Sequence, residues 1–228
     1  MTASLAGIRA CVFDAYGTLF DFNSATERCR DALGDSTDRL SEIWRQKQLQ
    51  YTWLRSLMDA HADFWQVTGE ALDFAMAATG TADAGLRRRL LDLYRELDPY
   101  PEVGDVLRRL KRAGLKTMIL SNGTPDMLAA AVDGAGLGAL IDDVLSVEAV
   151  GVYKPDRRVY QLAVDRAVAP AQAISFQSAN SWDAVGAAAF GFRAVWVNRA
   201  GQPRETLPAQ PDAELTTLAD LPDLLGVS

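Results

Sequence analysis

The 228-residue sequence predicts an α/β fold, a Rossmann-like parallel sheet wound with helices, into which an all-helical cap domain is inserted. Three patterns predict it. A short, unbroken apolar run at residues 10–13 has the composition of a central strand that is buried on both faces. Residues 22–98 show helical periodicity and no convincing strand. From residue 99 onward, helical and strand patterns alternate, which is typical of a wound parallel sheet.

The first strand is followed by a glycine-containing turn at residues 14–18. The region after this turn is predicted to hold four helices, at residues 26–33, 38–57, 60–78 and 84–97. Pro99 and Pro101 then end the helical region, because proline lacks the backbone N–H that a helix needs. We therefore expect a Rossmann-like core of residues 1–20 and 99–228, with a helical cap of residues 21–98 lying over the strand ends.

The rest of the core is predicted from the alternating patterns. Helices are expected at residues 103–113, 126–135, 157–167 and 183–190, and strands at residues 115–120, 144–147, 174–177 and 194–197. Gly114 suits the C-terminal end of the first of these helices, since glycine readily adopts the left-handed conformation found there. The stretch after Gly201 contains Pro203, Pro208 and Pro211 and is predicted to be a loop before a short final helix.

The net charge of −7 argues against nucleic acid or an anionic membrane surface as a partner, since both attract basic proteins. No apolar run approaches the length of a membrane span, and the N-terminus lacks a signal-peptide pattern. Cys11 and Cys29 are the two cysteines, and they show no metal-binding or redox spacing. Reduced thiols are typical of the cytoplasm, so we expect a soluble, cytoplasmic protein.

Polar side chains follow the predicted core strands. They are Asp14 and Thr18 after the first strand, and then Ser121, Asn122, Lys154, Ser178, Asn180 and Asp183 after later ones. Taken singly, Ser121-Asn122-Gly123 is more often a turn, and Asp183 is more often a helix cap. Because the carboxyl ends of parallel strands meet at one edge of the sheet, where ligands bind, the whole set predicts a site there.

Four motifs and one helical segment resemble a known family. They are Asp14-x-Tyr16-Gly17-Thr18, Ser121-Asn122-Gly123, Tyr153-Lys154-Pro155, Ser178-x-Asn180-x-Trp182-Asp183 and the cap segment at residues 44–56. Together they resemble the haloacid dehalogenase superfamily and, within it, the L-2-haloacid dehalogenases. The resemblance runs from the first strand through the cap to the last strand.

This resemblance implies hydrolytic dehalogenation of short L-2-haloalkanoic acids. Asp14 would attack C2 of the substrate, displace the halide with inversion, and form an ester that water hydrolyses to the D-2-hydroxy acid. The implied partners are the small 2-haloacid substrate, water and the released halide, with no cofactor. The resemblance also implies a homodimer, for which the cap offers apolar surface at Tyr51, Trp53 and Trp65.

The residue at position 16 agrees with this chemistry. A phosphoryl-transfer enzyme of this design would keep a second Asp there, because an alkoxide leaving group needs a proton. A halide leaves as a stable anion and needs none, so Tyr16 suits dehalogenation, although a core aromatic is the other interpretation. Only Asn180 and Asp183 remain where a phosphatase of this superfamily keeps an acidic pair for Mg²⁺, so we expect no metal.

The implied catalytic residues are Asp14, Thr18, Arg45, Lys154, Ser178, Asn180 and Asp183. By resemblance, Lys154 would keep Asp14 ionised, since a nearby positive charge favours a carboxylate. Thr18 and Ser178 would hydrogen-bond Asp14 and position it. Asn180 and Asp183 would orient the hydrolytic water or Lys154. Arg45 would hold the departing halide, although a charged side chain among apolar helix neighbours is normally a snorkelling arginine.

The implied substrate-binding residues are Ala15, Tyr16, Gln46, Leu49, Phe64, Ser121, Asn122, Tyr160 and Trp182. Ser121 and the backbone N–H groups after Asp14 would hold the substrate carboxylate, and Asn122 would assist Arg45. Most of the others would surround the alkyl group. For Leu49 and Phe64, plain core packing is an equally good interpretation.

Other functions stay open on the sequence alone. One is a related hydrolase that uses the same aspartyl ester, such as a defluorinase or a hydrolase of small strained-ring carboxylates. A phosphatase would be distinguished by its dependence on Mg²⁺. A non-catalytic binding or dimerisation module would show no turnover although Asp14 is intact.

Overall fold

A computed structural model describes residues 5–227 of the chain. Its core is one sheet of six strands: β1 (Ala10–Phe13), β2 (Lys116–Ser121), β3 (Asp143–Ser146), β4 (Ile174–Ser178), β5 (Arg193–Val197) and β6 (Ala213–Leu215). The order across the sheet is β3-β2-β1-β4-β5-β6, and every neighbouring pair is parallel. The predicted α/β class is confirmed.

The centre of the sheet is β1, whose four residues are all buried. From β1 the chain builds β2 and β3 on one side, and it then returns to place β4 on the other side of β1. Sheets of this kind bind ligands where the strand order reverses, beyond the carboxyl ends of the two central strands. Asp14 lies at this point, and its backbone N–H donates to the carbonyl of Gln177 in β4 at 2.9 Å.

Ten α-helices are present within the described residues. They are α1 (Ser24–Glu27), α2 (Arg30–Leu33), α3 (Thr37–Leu57), α4 (Phe64–Thr79), α5 (Ala84–Tyr94), α6 (Val103–Arg112), α7 (Pro125–Gly134), α8 (Arg157–Ala167), α9 (Ser181–Phe190) and α10 (Leu221–Leu224). The first five lie between β1 and β2, which is where the sequence predicts the insertion. We call this inserted helical segment the cap.

Two linking segments run side by side at the base of the cap. The backbone N–H of Asp21 donates to the carbonyl of Asp98 at 2.8 Å, and that of Tyr100 donates to the carbonyl of Leu19 at 2.9 Å. Phe20 and Pro99 form an antiparallel bridge between these bonds. This pairing supports our proposal that the cap spans residues 21–98 and the core the remaining residues.

Three of the predicted cap helices differ from the structure at their ends. The first is broken into α1 and α2, because the backbone of Cys29 leaves helical geometry at φ −112° and ψ 10°. The predicted helix at residues 60–78 begins only at Phe64, where the Asp63 carboxylate caps α4 by accepting from the backbone N–H of Gln66. The predicted helix at residues 84–97 ends at Tyr94.

The predicted loop after Gly201 was wrong in one place, because it contains the edge strand β6. Residues 213–215 pair with residues 195–197 of β5. The Asp212 carboxylate holds the start of this strand by accepting from the backbone N–H of Ala194 at 2.9 Å. Three residues are too few to show an alternating pattern, so this strand depends on its neighbour for recognition.

Within residues 5–227, no helix combines the length and the apolar composition that crossing a bilayer would require.

Candidate active site

Asp14 is the centre of the site and is almost completely buried, with 6% of its surface exposed. Its Oδ1 accepts a hydrogen bond from Lys154 Nζ at 3.0 Å. Its Oδ2 accepts from Asn180 Nδ2 at 2.8 Å and from Thr18 Oγ1 at 3.2 Å. Both carboxylate oxygens are therefore held, and the predicted contacts of Thr18 and Lys154 with Asp14 are present. Asn180 was predicted to orient water or Lys154, and its bond to Asp14 was not predicted.

Lys154 lies between two carboxylates in a fully enclosed position. Its Nζ donates to Asp183 Oδ2 at 2.8 Å as well as to Asp14. Burial disfavours its ammonium, but the charges of Asp14 and Asp183 outweigh burial and raise the pKa of Lys154 above its ordinary value. This lysine therefore stays charged at neutral pH, and it is not a surface lysine.

Asp183 is held from its other side by Tyr160. The Tyr160 hydroxyl donates to Asp183 Oδ1 at 2.8 Å. Burial raises the pKa of the Asp183 carboxyl; the ammonium of Lys154 opposes this effect, and the charge of Asp14 adds to it. Tyr160 was predicted to bind substrate, but its ring is fully buried, with Phe176 and Phe192 packed edge-on against it. Its contact places it behind Asp183 rather than in the substrate wall.

Ser178 has a different partner from the predicted one. Its Oγ accepts from the backbone N–H of Asn180 at 3.1 Å, and it makes no hydrogen bond to Asp14 among the described residues. Thr18 Oγ1 accepts from the backbone N–H of Ala179 at 2.8 Å. The two hydroxyls thus fix the loop after β4, because short Ser and Thr side chains readily bond to nearby backbone groups. Ser178 acts on Asp14 only through Asn180.

Arg45 reaches this centre from the cap. Its Nη2 donates to Asn180 Oδ1 at 3.0 Å, while the NH₂ group of the same amide donates to Asp14. A longer contact of 3.5 Å joins Nη2 to the carbonyl of Tyr16, and the guanidinium stands 5.0 Å from the ring of Phe22. Asn180 therefore links the cap cation to the core carboxylate.

Gln48 is the residue that the sequence analysis missed. Its Oε1 accepts from Arg45 Nη1 at 2.8 Å, and its side chain is 1% exposed. The signal was its spacing, since residues at i and i+3 on a helix lie on the same face. The sequence prediction for this helix rested on the face at i, i+4 and i+8, which runs from Arg45 through Leu49 and Trp53.

The turn after β2 has its side chains turned toward the protein backbone. Ser121 Oγ accepts from the backbone N–H of Gly123 at 3.1 Å. Asn122 Oδ1 accepts from the backbone N–H of Lys154 at 3.2 Å, which leaves the NH₂ group of this amide for another partner. Within residues 5–227, the backbone N–H groups of Ala15 and Tyr16 have no protein acceptor. The turn after β1 therefore has unused backbone donors directly after Asp14, and the turn after β2 has an unused amide NH₂ group.

Aromatic rings of the cap pack against Tyr16, two residues after Asp14. The ring of Tyr16 lies 5.7 Å from that of Phe64 and 5.6 Å from that of Tyr94. Burial, with the nearby Tyr94 and the charge of Asp14, raises the pKa of Tyr16 well above its ordinary value, so it stays neutral. A Cβ on Gly123 would lie 2.8 Å from the Tyr16 hydroxyl oxygen, which explains a glycine at that position.

The other predicted wall residues are less enclosed. The indole rings of Trp182 and Trp53 meet edge to face at 5.3 Å, which joins the core to the cap. Leu49 is half-buried. Gln46 is exposed and lines an open cleft beside Arg45, so the structure does not bring it to Asp14.

The donor set of this site does not resemble a metal centre. Within residues 5–227, no three His, Cys, Asp or Glu side chains lie close enough together to bind an ion. The two carboxylates of the site, Asp14 and Asp183, instead share the ammonium of Lys154. The arrangement provides an anionic oxygen nucleophile with fixed donors on both sides.

Comparisons with known proteins agree on one family. The family model for haloacid dehalogenase-like hydrolases matches residues 8–191. The (S)-2-haloacid dehalogenase 1 of Pseudomonas sp. (strain CBS-3) is 47% identical over 219 residues, which is 96% of each chain. A solved dehalogenase structure superposes with a TM-score of 0.94 at 46% identity and covers 96% of this chain and 97% of that one.

One solved structure carries a covalent adduct. It is the L-2-haloacid dehalogenase of Xanthobacter autotrophicus with chloropropionic acid covalently bound, which has a TM-score of 0.89 and 37% identity. The match covers 96% of this chain and 98% of that one.

Proposed function

The chain belongs to the haloacid dehalogenase-like hydrolases and, among them, to the (S)-2-haloacid dehalogenases, and from this membership we propose that it hydrolyses short L-2-haloalkanoic acids to D-2-hydroxy acids. The observation that carries the proposal is the buried Asp14 carboxylate beside the charged Lys154, with Tyr16 where a general acid would otherwise stand. Such a site supplies a nucleophile without a proton donor for the leaving group, and a halide needs none.

In the first step, a carboxylate oxygen of Asp14 attacks C2 of the substrate from the side opposite the halogen. The new C–O bond forms as the carbon–halogen bond breaks, and the halide leaves with the bonding electron pair. The configuration at C2 is inverted. Lys154 keeps Asp14 ionised before the attack, because its ammonium lies 3.0 Å from Oδ1.

The departing halide is stabilised by Arg45. Its planar guanidinium offers several directed N–H donors to an anion, and it is supported by the NH₂ group of Asn122. The substrate carboxylate is held by Ser121 and by the N–H groups of Ala15 and Tyr16. The alkyl group is enclosed by Tyr16, Leu49, Phe64 and Trp182, with Gln46 at the rim.

In the second step, water attacks the carboxyl carbon of the Asp14 ester, and the bond between that carbon and the substrate oxygen breaks. One proton of the water goes to Asp183, and the other ends on the departing alkoxide oxygen, so the hydroxy acid is released and Asp14 returns as a carboxylate. Esterification removes the negative charge of Asp14, so Lys154 then faces Asp183 alone. Asp183 and Asn180 orient the water, and the raised pKa of Asp183 suits a carboxylate that takes up a proton. Loss of that proton to solvent restores the resting site.

A halide-release assay over both enantiomers of 2-chloropropionate tests the proposal. Three fixed groups contact the substrate in this proposal: the nucleophile, the carboxylate-binding turn and the halide-binding arginine. Three fixed contacts around C2 select one enantiomer. We expect turnover of the L enantiomer only, faster for short chains, and none in an Asp14→Asn variant. Equal rates on both enantiomers, or halide release by the Asp14→Asn variant, would contradict it. Including fluoroacetate in the panel distinguishes a defluorinase.

We place this activity in a cytoplasmic homodimer. Both cysteines are buried free thiols, which suits a reducing compartment.

The cap supplies the proposed dimer surface. Tyr51, Trp53 and Trp65 are half-buried, but the cap exposes Leu54, Leu57, Met58 and Phe74, with Leu57 84% and Met58 64% accessible. Leu54 and Met58 line one open cleft together with Tyr51, and a contiguous exposed apolar patch is typical of an interface. A Leu57→Asp and Met58→Asp double variant should sediment as a monomer, whereas Leu207→Asp, at another exposed leucine, should not change the assembly.

A further inference from the structure

The hydrogen bonds around Arg45 contain no negative charge. Within residues 5–227, the acceptors of its guanidinium are the side-chain amides of Gln48 and Asn180 and, at 3.5 Å, the carbonyl of Tyr16. Each of these groups is neutral. An arginine that is held by a carboxylate would have its charge compensated within the protein, whereas this one keeps its charge for an incoming anion.

Gln48 is held in turn by two other helices of the cap. Its Nε2 donates to Thr68 Oγ1 of α4 at 2.8 Å and to the hydroxyl oxygen of Tyr94 of α5 at 3.1 Å. The Thr68 hydroxyl donates to the carbonyl of Phe64 at 2.6 Å. All of these groups are buried, so the amide of Gln48 cannot exchange them for water.

The direction of this network is fixed at both ends. A guanidinium only donates hydrogen bonds, so the oxygen of the Gln48 amide must face Arg45. The Thr68 hydrogen is directed at Phe64, so the Thr68 oxygen must accept from the Gln48 NH₂ group. An amide satisfies both ends, and a carboxylate of the same shape does not.

We propose that Gln48 is a positioning residue that holds Arg45 without neutralising it, so that the guanidinium binds the departing halide with its full charge. This inference rests on the proposed function, because it assigns the halide to Arg45. We therefore expect a negative charge at position 48 to weaken halide binding more than the loss of the hydrogen bond does, although Gln48 does not touch the substrate.

The test compares three variants by bromide titration at constant ionic strength, followed by tryptophan fluorescence. Trp44 reports on the network, since its indole N–H donates to the carbonyl of Thr68 at 2.9 Å. Gln48→Glu keeps the shape and adds a charge beside Arg45, and we expect bromide affinity and kcat/KM to fall about 100-fold. Gln48→Met removes the hydrogen bond without adding charge, and we expect a loss of about tenfold.

The matched control is Gln50→Glu, which makes the same change on the same helix at an exposed residue. It should bind bromide like the unmodified protein. Thr68→Val, which does not contact Arg45, should weaken bromide binding about fivefold by freeing the Gln48 amide, and it serves if Gln48→Glu does not fold. Thermal unfolding of each variant separates lost binding from lost stability.

Bromide binding by folded Gln48→Glu at the strength of the unmodified protein, or equal losses in Gln48→Glu and Gln48→Met, would overturn the inference. No effect of Thr68→Val on bromide affinity would also overturn it. If the unmodified protein releases no halide from any 2-haloacid, the proposed function fails, and the bromide titration still decides whether Gln48 governs the anion affinity of Arg45.

Discussion

At the scale of single residues, the site depends on which groups face Asp14 and which face Arg45. The carboxylate is surrounded by the ammonium of Lys154, the amide of Asn180 and the hydroxyl of Thr18. The guanidinium is surrounded by neutral acceptors. One anionic and one cationic group thus stand on either side of the Asn180 amide, which suits a reaction in which an anion attacks and another departs.

Replacing Arg45 by Lys should abolish most of the activity although the charge is kept. An ammonium is a point charge without the planar set of donors, and loss of directed donors to a developing anion costs about 100-fold in kcat or more. Halide release and circular dichroism measure activity and folding together. The control is Arg39→Lys, an exposed arginine on the same helix. Near-full activity in folded Arg45→Lys would remove this residue from the site.

Replacing Lys154 by Met should destabilise the protein in a pH-dependent way. The variant leaves two buried carboxylates facing each other, which costs about 3–5 kcal/mol at neutral pH. The folded pKa of Lys154 is raised, so its stabilisation is fully present below its unfolded pKa of about 10.4 and is lost as the pH rises through the folded value. Urea unfolding of both proteins from pH 7 to 11 should show their difference shrinking only at the alkaline end. A difference in unfolding free energy that stays constant up to pH 11 would show that the ammonium charge of Lys154 does not cause the stabilisation.

At the scale of secondary-structure elements, the sequence predicted the elements that have a periodic residue pattern. It missed the features that depend on contacts with neighbouring elements. The strand at residues 10–13 and the helix at residues 157–167 have the predicted bounds. The apolar run of the strand and the helical periodicity of the helix are visible in the sequence itself. The edge strand β6 and the break at Cys29 were missed, since pairing with β5 and a local backbone bend leave no periodic pattern.

The same reason explains what was missed in the site. Motif residues that follow strands were found, because strand ends converge on one edge of the sheet. Gln48 was not, because its partners Thr68 and Tyr94 lie on two other helices of the cap. The partner of Ser178 was also predicted wrongly, since the direction of a hydroxyl is set by the folded loop after β4.

Arg199 connects the two segments at the base of the cap. Arg199 donates to the carbonyl of Thr18 at 3.0 Å and to Glu102 Oε1 at 2.7 Å, and it stacks on Tyr100 at 3.7 Å. It therefore ties the turn after β1 to the segment that returns from the cap. Arg199→Ala should lower the free energy of unfolding by about 2 kcal/mol and speed amide exchange at residues 15–20. Unchanged exchange in that loop would show that Arg199 does not hold it.

At the scale of the whole molecule, the sheet supplies the nucleophile that we propose, and the cap supplies the cation that we propose for the leaving group. Asp14, Lys154, Asn180 and Asp183 come from the core, and Arg45 with its holder Gln48 comes from α3. The site is complete only when the two parts are in contact. This division places the carboxylate and the guanidinium on separate parts of the molecule.

Metal removal should leave turnover unchanged. Asp14 and Asp183 are bridged by Lys154, whose ammonium occupies the place between them where a cation would be needed. Halide release in the presence of a strong chelator should equal that in its absence, and added Mg²⁺ should have no effect. Activity that is lost with chelator and restored by Mg²⁺ would return the protein to a phosphatase-like mechanism.

A single turnover in heavy-oxygen water distinguishes an ester of Asp14 with the substrate from direct attack by water. With enzyme in excess over L-2-chloropropionate, the oxygen that joins C2 comes from Asp14, and water oxygen replaces it when the ester is hydrolysed at the carboxyl carbon. We therefore expect unlabelled lactate and one heavy oxygen in the peptide that contains Asp14, measured by mass spectrometry. Labelled lactate in the first turnover, with Asp14 unlabelled, would mean that water attacks the substrate directly and would contradict the account.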